Sequence, residues 1–457
     1  MRNRRFNRRF IGAIGAIVAL TTTIVLPTSS TSAAQIPSDA AAMCAAVLAP
    51  VTGGAAASSE PLAACQWDMI QIHATSTGSY RIATGRGVRV GVLDSGVDRF
   101  HPDIAPNLDL NLSCSFIFSD DPVALPQEVG NGICSNKDAV QDLGTHGTHV
   151  ASTIAAPVNG VGIAGVAPEA TIVALKVCSY VGYCFVKSVA AAIRYAGEQR
   201  LDVINLSLFA DPYLYYCGND AAQRAQYKSM VEAVRYAQQR GVVVVAAAGN
   251  ESSDLRHPTV DTISPDWPPD AAQTRLVHNN CRVAPAEIPG VITVSATGPF
   301  GISGFSTIGQ GVIDVAAPGG DLVGSGSVVP QHSVLAAASS TETAPGGIYP
   351  TYDFFDQFFP GLTVIDHGAR YVAIDGTSMA SPHAAGVAVL IKQMHPGWSP
   401  AAVAAALRST AQPRPCPTVD GPYVFDGNGN IVACTGGNGR NSYYGTGLID
   451  ALAAASK

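Results

Sequence analysis

The sequence predicts an α/β fold: a parallel sheet with helices on both faces, stabilised by disulfides. Runs rich in Val, Ile and Ala recur at 89–93, 171–177, 203–208, 242–247, 291–296 and 312–316. Strands apolar on both sides belong to parallel sheets covered by helices. Helical patterns at 186–199 and 223–239 fall between several of them, the alternation that builds such a sheet. The ten cysteines are an even number, which in an exported chain favours disulfides over metal ligation.

From the N-terminus, residues 1–34 have the pattern of a signal peptide. Five arginines lie within 2–9, an apolar run covers 11–26, and Ser32-Ala33-Ala34 suits cleavage. That run of 16 residues is shorter than the ~20 needed to span a bilayer. A secreted, soluble product with no membrane association is expected. Residues 35–64, rich in Ala, Ser, Pro and Gly, are expected to be an irregular extension. The main domain is expected over 65–457. Within it, 320–370 exceeds what a compact connection needs, and its aromatic stretch 349–359 is expected to pack as a small subdomain, with lining of a substrate groove the alternative. Neighbours in sequence suggest the pairs Cys44–Cys65, Cys114–Cys134, Cys178–Cys184, Cys217–Cys281 and Cys416–Cys434. Charged residues make up 13% and the net charge is −7, with no basic patch to recruit nucleic acid.

Three stretches carry chemistry. In Gly376-Thr377-Ser378-Met379-Ala380-Ser381-Pro382-His383 a small-residue turn presents a serine before the apolar run 384–391. Alone, that serine reads as an ordinary helix N-cap. A helix N-terminus is also where unpaired N–H groups favour developing negative charge. In 88–98 a strand runs into Asp94, followed by Ser95-Gly96. In 144–151 a glycine-rich turn carries His146 into an apolar helix. Asp, His and Ser, each at the mouth of an element, are the parts of a nucleophilic acyl-transfer triad.

At these three stretches the sequence resembles the subtilisin family of serine peptidases, over roughly residues 65–457. The chain order Asp94, His146, Ser378 is that family's. The resemblance implies a serine endopeptidase acting as a monomer on protein or peptide substrates, with no catalytic cofactor. Ser378 would attack, His146 would move the proton, and Asp94 would orient His146. Asn250, after the strand 242–249, matches the family's amide donor to the oxyanion. Ser207, Leu208 and Phe209, with Ala248 and Gly249, fall where the family builds its primary side-chain pocket. Many members have glycines where Phe209 stands. A ring turned inward would restrict the pocket; one turned into the core would leave it open.

The resemblance further implies a structural calcium held by Asp103, Asn159 and the carbonyls of Pro157, Val161 and Ile163. The family's N-terminal glutamine ligand has no match, its position falling near Ala63, and an ordinary surface loop is the alternative. His149 lacks the glutamate of a zinc-binding helix and, like His383, is expected to be structural. Secreted members carry a folding pro-domain, for which residues 35–64 are too few. A catalytically silent binding protein on this fold would be expected to lack a triad residue, and an acid-active serine-carboxyl peptidase to have glutamate in place of His146. Neither departure is present.

Overall fold

The computed structural model describes residues 40–322, 329–341, 361–418, 421–426, 429–437 and 439–457. The leader 1–34 and the aromatic stretch 349–359 lie outside the described residues. The main sheet is built from β1 (Arg89–Asp94), β2 (Cys114–Ser115), β3 (Thr171–Lys176), β4 (Val203–Leu206), β5 (Val243–Ala247), β6 (Ile292–Gly298), β7 (Gly301–Ile302) and β8 (Val315–Pro318). Its order is β7-β6-β5-β4-β1-β3-β2, with β8 joined to β6. Only the short β6–β7 pairing is antiparallel.

Alternate residues of each strand serve opposite cores, as the period of two requires. Val90, Val92, Ile172, Ala174, Val243 and Val245 join one apolar cluster. Leu93, Val173, Leu175, Ile204, Val244 and Ala246 join the other.

Among the described residues, the six longest helices complete the frame: α1 (Ala40–Thr52), α2 (His146–Ala155), α3 (Val186–Glu198), α4 (Ala221–Gln238), α5 (Thr377–Met394) and α6 (Pro400–Thr410). α3 and α4 cover the second cluster; α2, α5 and α6 cover the first. Helix α5 is so enclosed that a Cβ added to Gly386 would lie 2.5 Å from that of Val166. A second, antiparallel sheet of β9 (Val334–Ala337), β10 (Thr363–Asp366) and β11 (Ala369–Ile374) packs beside α2.

The N-terminal segment differs from the expected irregular extension. Helix α1 buries Cys44, Leu48 and Thr52, and its alanines are the strongest helix formers. Gly53, at φ +63°, ends it by returning its N–H to the Ala49 carbonyl at 2.9 Å. The following segment, at 71–73, is tied to residues 412, 450 and 451. His73 Nδ1 lies 3.0 Å from Asp450 Oδ2, Ala451 N donates to Ile72 O at 2.8 Å, and Gln412 Nε2 donates to Gln71 O at 3.2 Å.

All five suggested disulfides are formed. No described helix is long and apolar enough to cross a membrane. Cys44–Cys65 closes a loop with a sequence separation of 21, for which chain entropy gives about 3 kcal/mol. The double substitution Cys44→Ala, Cys65→Ala should therefore lower the thermal unfolding midpoint by a few degrees. An unchanged midpoint, or titratable thiol in the denatured unreduced wild type, would contradict this account.

Candidate active site

Asp94 ends β1, Ser207 follows β4 and Asn250 lies just beyond β5. All three therefore stand at the carboxyl edge of the parallel sheet, where such folds collect ligands. Asp94 Oδ1 accepts the Ser95 backbone N–H at 2.7 Å and lies 2.7 Å from His146 Nδ1. Its carboxylate and the imidazole are both buried. His146 opens α2 after Thr145, whose φ of +72° is uncommon for a β-branched residue. Backbone strain of that kind costs ~1–3 kcal/mol and persists only where surrounding contacts impose it.

Helices α2 and α5 pack against each other, and Ser378 lies in the first turn of α5. Pro382 sits four residues later inside the same helix. Lacking an N–H, it cannot take the Ser378 carbonyl as its i−4 acceptor. The Ser207 hydroxyl donates to that carbonyl instead, at 2.7 Å, while Ser378 Oγ donates to the Ser207 carbonyl at 3.2 Å. Asn250 Oδ1 accepts both Thr377 N (2.8 Å) and Thr377 Oγ1 (2.9 Å). Because both contacts engage the amide oxygen, Nδ2 is left as the side chain's donor end. Gly249, at φ +119°, lets the chain turn here while its N–H reaches Thr377 Oγ1 at 3.1 Å.

Burial opposes charge on His146, but the Asp94 charge and hydrogen bond outweigh it, and Asp142 adds to them. The imidazole is held above its ordinary value. His149 is different: burial drives its pKa down to about 3. Its Nε2 lies 3.1 Å from each of the Val334 and Val372 carbonyls, so it joins α2 to the small sheet. His383 lies between the Met379 carbonyl (2.7 Å) and Asp68 Oδ2 (2.9 Å), joining α5 to the N-terminal segment.

Among the pocket residues, the Ser207 hydroxyl is engaged with Asn205, Ser378 and Ser381. Leu208 packs against the cluster under α3 and α4. Half-buried Phe209 packs against a satellite cluster containing Leu214, Tyr215, Leu255 and Val283. Ala248 is buried and donates its N–H to Val294 O at 3.0 Å.

The calcium expectation is corrected by the groups around Asp103. A calcium cage needs bare oxygens at 2.3–2.6 Å. Here Asp103 Oδ2 accepts from Tyr371 OH (2.8 Å) and Ile163 N (3.2 Å), and Oδ1 faces Asn159 Nδ2 at 3.4 Å. Asn159 presents nitrogen rather than oxygen, because its Oδ1 accepts Val161 N at 2.9 Å. Gly160 N and Gly162 N are bound by Glu60 and Asp366. Within the set Asp103, Pro157, Asn159, Val161 and Ile163, donors thus occupy Asp103 Oδ2 and the Asn159 oxygen, and the Asn159 amide nitrogen faces Asp103 Oδ1, so neither side chain presents the bare oxygens the ion needs. Burial raises the Asp103 carboxyl to about 7, against the pull of the Tyr371 and Ile163 bonds.

Two groups at the site escaped the sequence reading. Asp142 and Ser95 bond each other at 2.9 Å and both hold the head of α2. The sequence offers only the nearness of Ser95 to Asp94, and of Asp142 to His146, as signals.

A parallel α/β sheet with an Asp–His pair at the head of one helix and a serine at the head of a helix packed against it defines a fold of the subtilisin type. The chain belongs to the subtilase family, whose model matches residues 85–447. It is 32% identical over 373 residues to subtilisin NAT of Bacillus subtilis subsp. natto, covering 81% of this chain but only 66% of that one. Against subtilisin from Bacillus pumilus it is 31% identical over 373 residues, covering 81% and 92%. The solved structure of fervidolysin from Fervidobacterium pennivorans matches with a TM-score of 0.56 and 26% identity, covering 87% of this chain and 46% of that one.

If protein donors rather than an ion hold the Asp103 loop, a calcium chelator should leave the melting curve unchanged. Tyr371→Phe should destabilise by about 1–3 kcal/mol, because a buried acceptor loses its donor. A chelator-induced fall in melting temperature would refute the assignment.

Proposed function

We propose that the chain is a secreted serine endopeptidase that cleaves peptide bonds through an acyl-enzyme. The observation that carries this reading is the 2.7 Å Asp94–His146 contact facing a helix whose first turn bears Ser378. Ser378 Oγ attacks the scissile carbonyl while the distal nitrogen of His146 takes its proton. The imidazolium then passes that proton to the leaving amine, and a water reverses the sequence to free the acid. Asp94 holds Nδ1–H and stabilises the cation. Asn250 Nδ2 and the Ser378 backbone N–H receive the oxyanion. Tying the Asn250 oxygen to Thr377 fixes the direction of its donor before substrate arrives. The leader pattern of 1–34 and the disulfides support export, and the substrate class is protein or peptide.

Ser378→Ala should abolish turnover; the loss measured for a subtilisin nucleophile is ~10⁶ in kcat. A folded variant keeping a tenth of wild-type turnover would sink the assignment. Asn250→Leu should lower kcat by ~10²–10³, a subtilisin magnitude, and change KM little. Unfolding curves recorded alongside separate this loss from that of the Thr377 anchor.

We also infer that Phe209, packed on its satellite cluster, is turned into the core and leaves the primary pocket open to large residues before the cleaved bond. In a peptide series varying only that residue, Phe209→Gly should leave the ratio of kcat/KM on Phe and Ala peptides unchanged. A selective gain on large aromatics, on the order of 1–3 kcal/mol in kcat/KM, would end the idea.

A further inference from the structure

Asp142 is a buried carboxylate that the proposed chemistry does not use. Four donors surround it: Ser95 Oγ at 2.9 Å, Gly144 N at 2.8 Å, Thr148 N at 2.9 Å and Thr148 Oγ1 at 2.6 Å. An ionised carboxylate offers about four acceptor sites and no donor, so this surrounding is built for the anion. Thr148 Oγ1 in turn accepts Asp98 N at 2.9 Å.

The bonds to Gly144 and Thr148 bracket Thr145, so the left-handed turn that delivers His146 is closed across a single carboxylate. The bond to Ser95 reaches the other partner. Ser95 donates its N–H to Asp94 Oδ1, and its Oγ accepts Gly147 N at 2.9 Å. Close approach of the two elements is required here, since a Cβ on Gly147 would lie 2.0 Å from the Gly96 carbonyl. Behind them Lys176 Nζ donates to Ser95 O at 2.6 Å and Gln141 O at 3.1 Å, and pairs with Glu128 at 2.9 Å.

We propose that Asp142 is a positioning residue for His146, a buried anion that locks the exit of β1 to the first turn of α2. This rests on His146 being the base. The charged and titratable groups around it are Asp94 from β1, Asp142 from the preceding loop and His149 from its own helix. Lys176 from β3, with Glu128, lies beyond Asp142, and His383 of α5 acts on His149. Burial opposes charge on the imidazole, Asp94 dominates the reverse effect, and Asp142 adds to it. Burial also pushes the Asp142 carboxyl up, against Lys176 and the Thr148 bonds.

The base must be neutral, so kcat/KM rises as pH passes upward through the His146 pKa. Removing a negative charge lowers that pKa, so Asp142→Asn should move the acid limb of the profile to lower pH by about half a unit or more. It should also reduce kcat about tenfold or more with little change in KM, as misplacement of a catalytic group does. Ser95→Ala keeps the anion but cuts the bridge. Its kcat should fall while the limb stays in place. Using the full chain and a chromogenic peptide, an Asp142→Asn profile that superimposes on wild type overturns the proposal. Should that variant fail to fold, wild-type kcat in Ser95→Ala overturns it. An NMR titration of His146 in Ser378→Ala, with and without Asp142→Asn, tests the same shift without turnover. Turnover persisting in Ser378→Ala defeats the triad reading, whereas an unmoved His146 titration defeats only the role of Asp142.

Discussion

The site depends on the enclosure of α5. Fifteen of its 18 residues are buried, and the run Ala384, Ala385, Gly386, Ala388 keeps it thin enough to lie close against its neighbours. Such packing is as dense as an organic crystal and resists displacement. The position of Ser378 is therefore set by the core, and loop contacts refine it. Pro382 would ordinarily weaken a helix. Here the carbonyl it leaves unbonded is the one through which Ser207 joins β4 to the peptide of Ser378.

His146 is positioned from the opposite direction. Helix α2 carries a strained residue at its head, and the strain is countered by contacts from outside the helix. One element of the candidate site is thus fixed by apolar close packing, the other by a buried polar cluster. Buried polar groups of this kind are favourable only when every member is satisfied.

What the sequence revealed and what it hid follow from this division. Asp94, His146 and Ser378 were legible because each lies at the junction of a periodic apolar run and a glycine-bearing turn. The sheet was legible for the same reason, since its strands are apolar on both faces. Asp142 was not, because its partner Ser95 is 47 positions away and nothing in their spacing marks the bond. Tyr371 was hidden more deeply, 268 positions from Asp103. The family resemblance of Asp103 and the 157–163 loop implied an ion. Only the direction of their N–H groups shows that a hydroxyl from β11 takes that place. Helix α1 was missed because small residues serve linkers and helices alike, and its burial decides between them.

The clasp between residues 71–73 and the segments around 412 and 450 has a consequence for endurance. Proteolytic nicking of a folded chain begins where backbone opens locally. Here Ile72 and Gln71 are bonded to Ala451 and Gln412, and His73 meets Asp450. Opening either side of the clasp therefore means releasing the other. Cleavage of the folded chain is directed away from these segments, toward exposed loops, and its lifetime is governed by them and by the rate of cooperative unfolding.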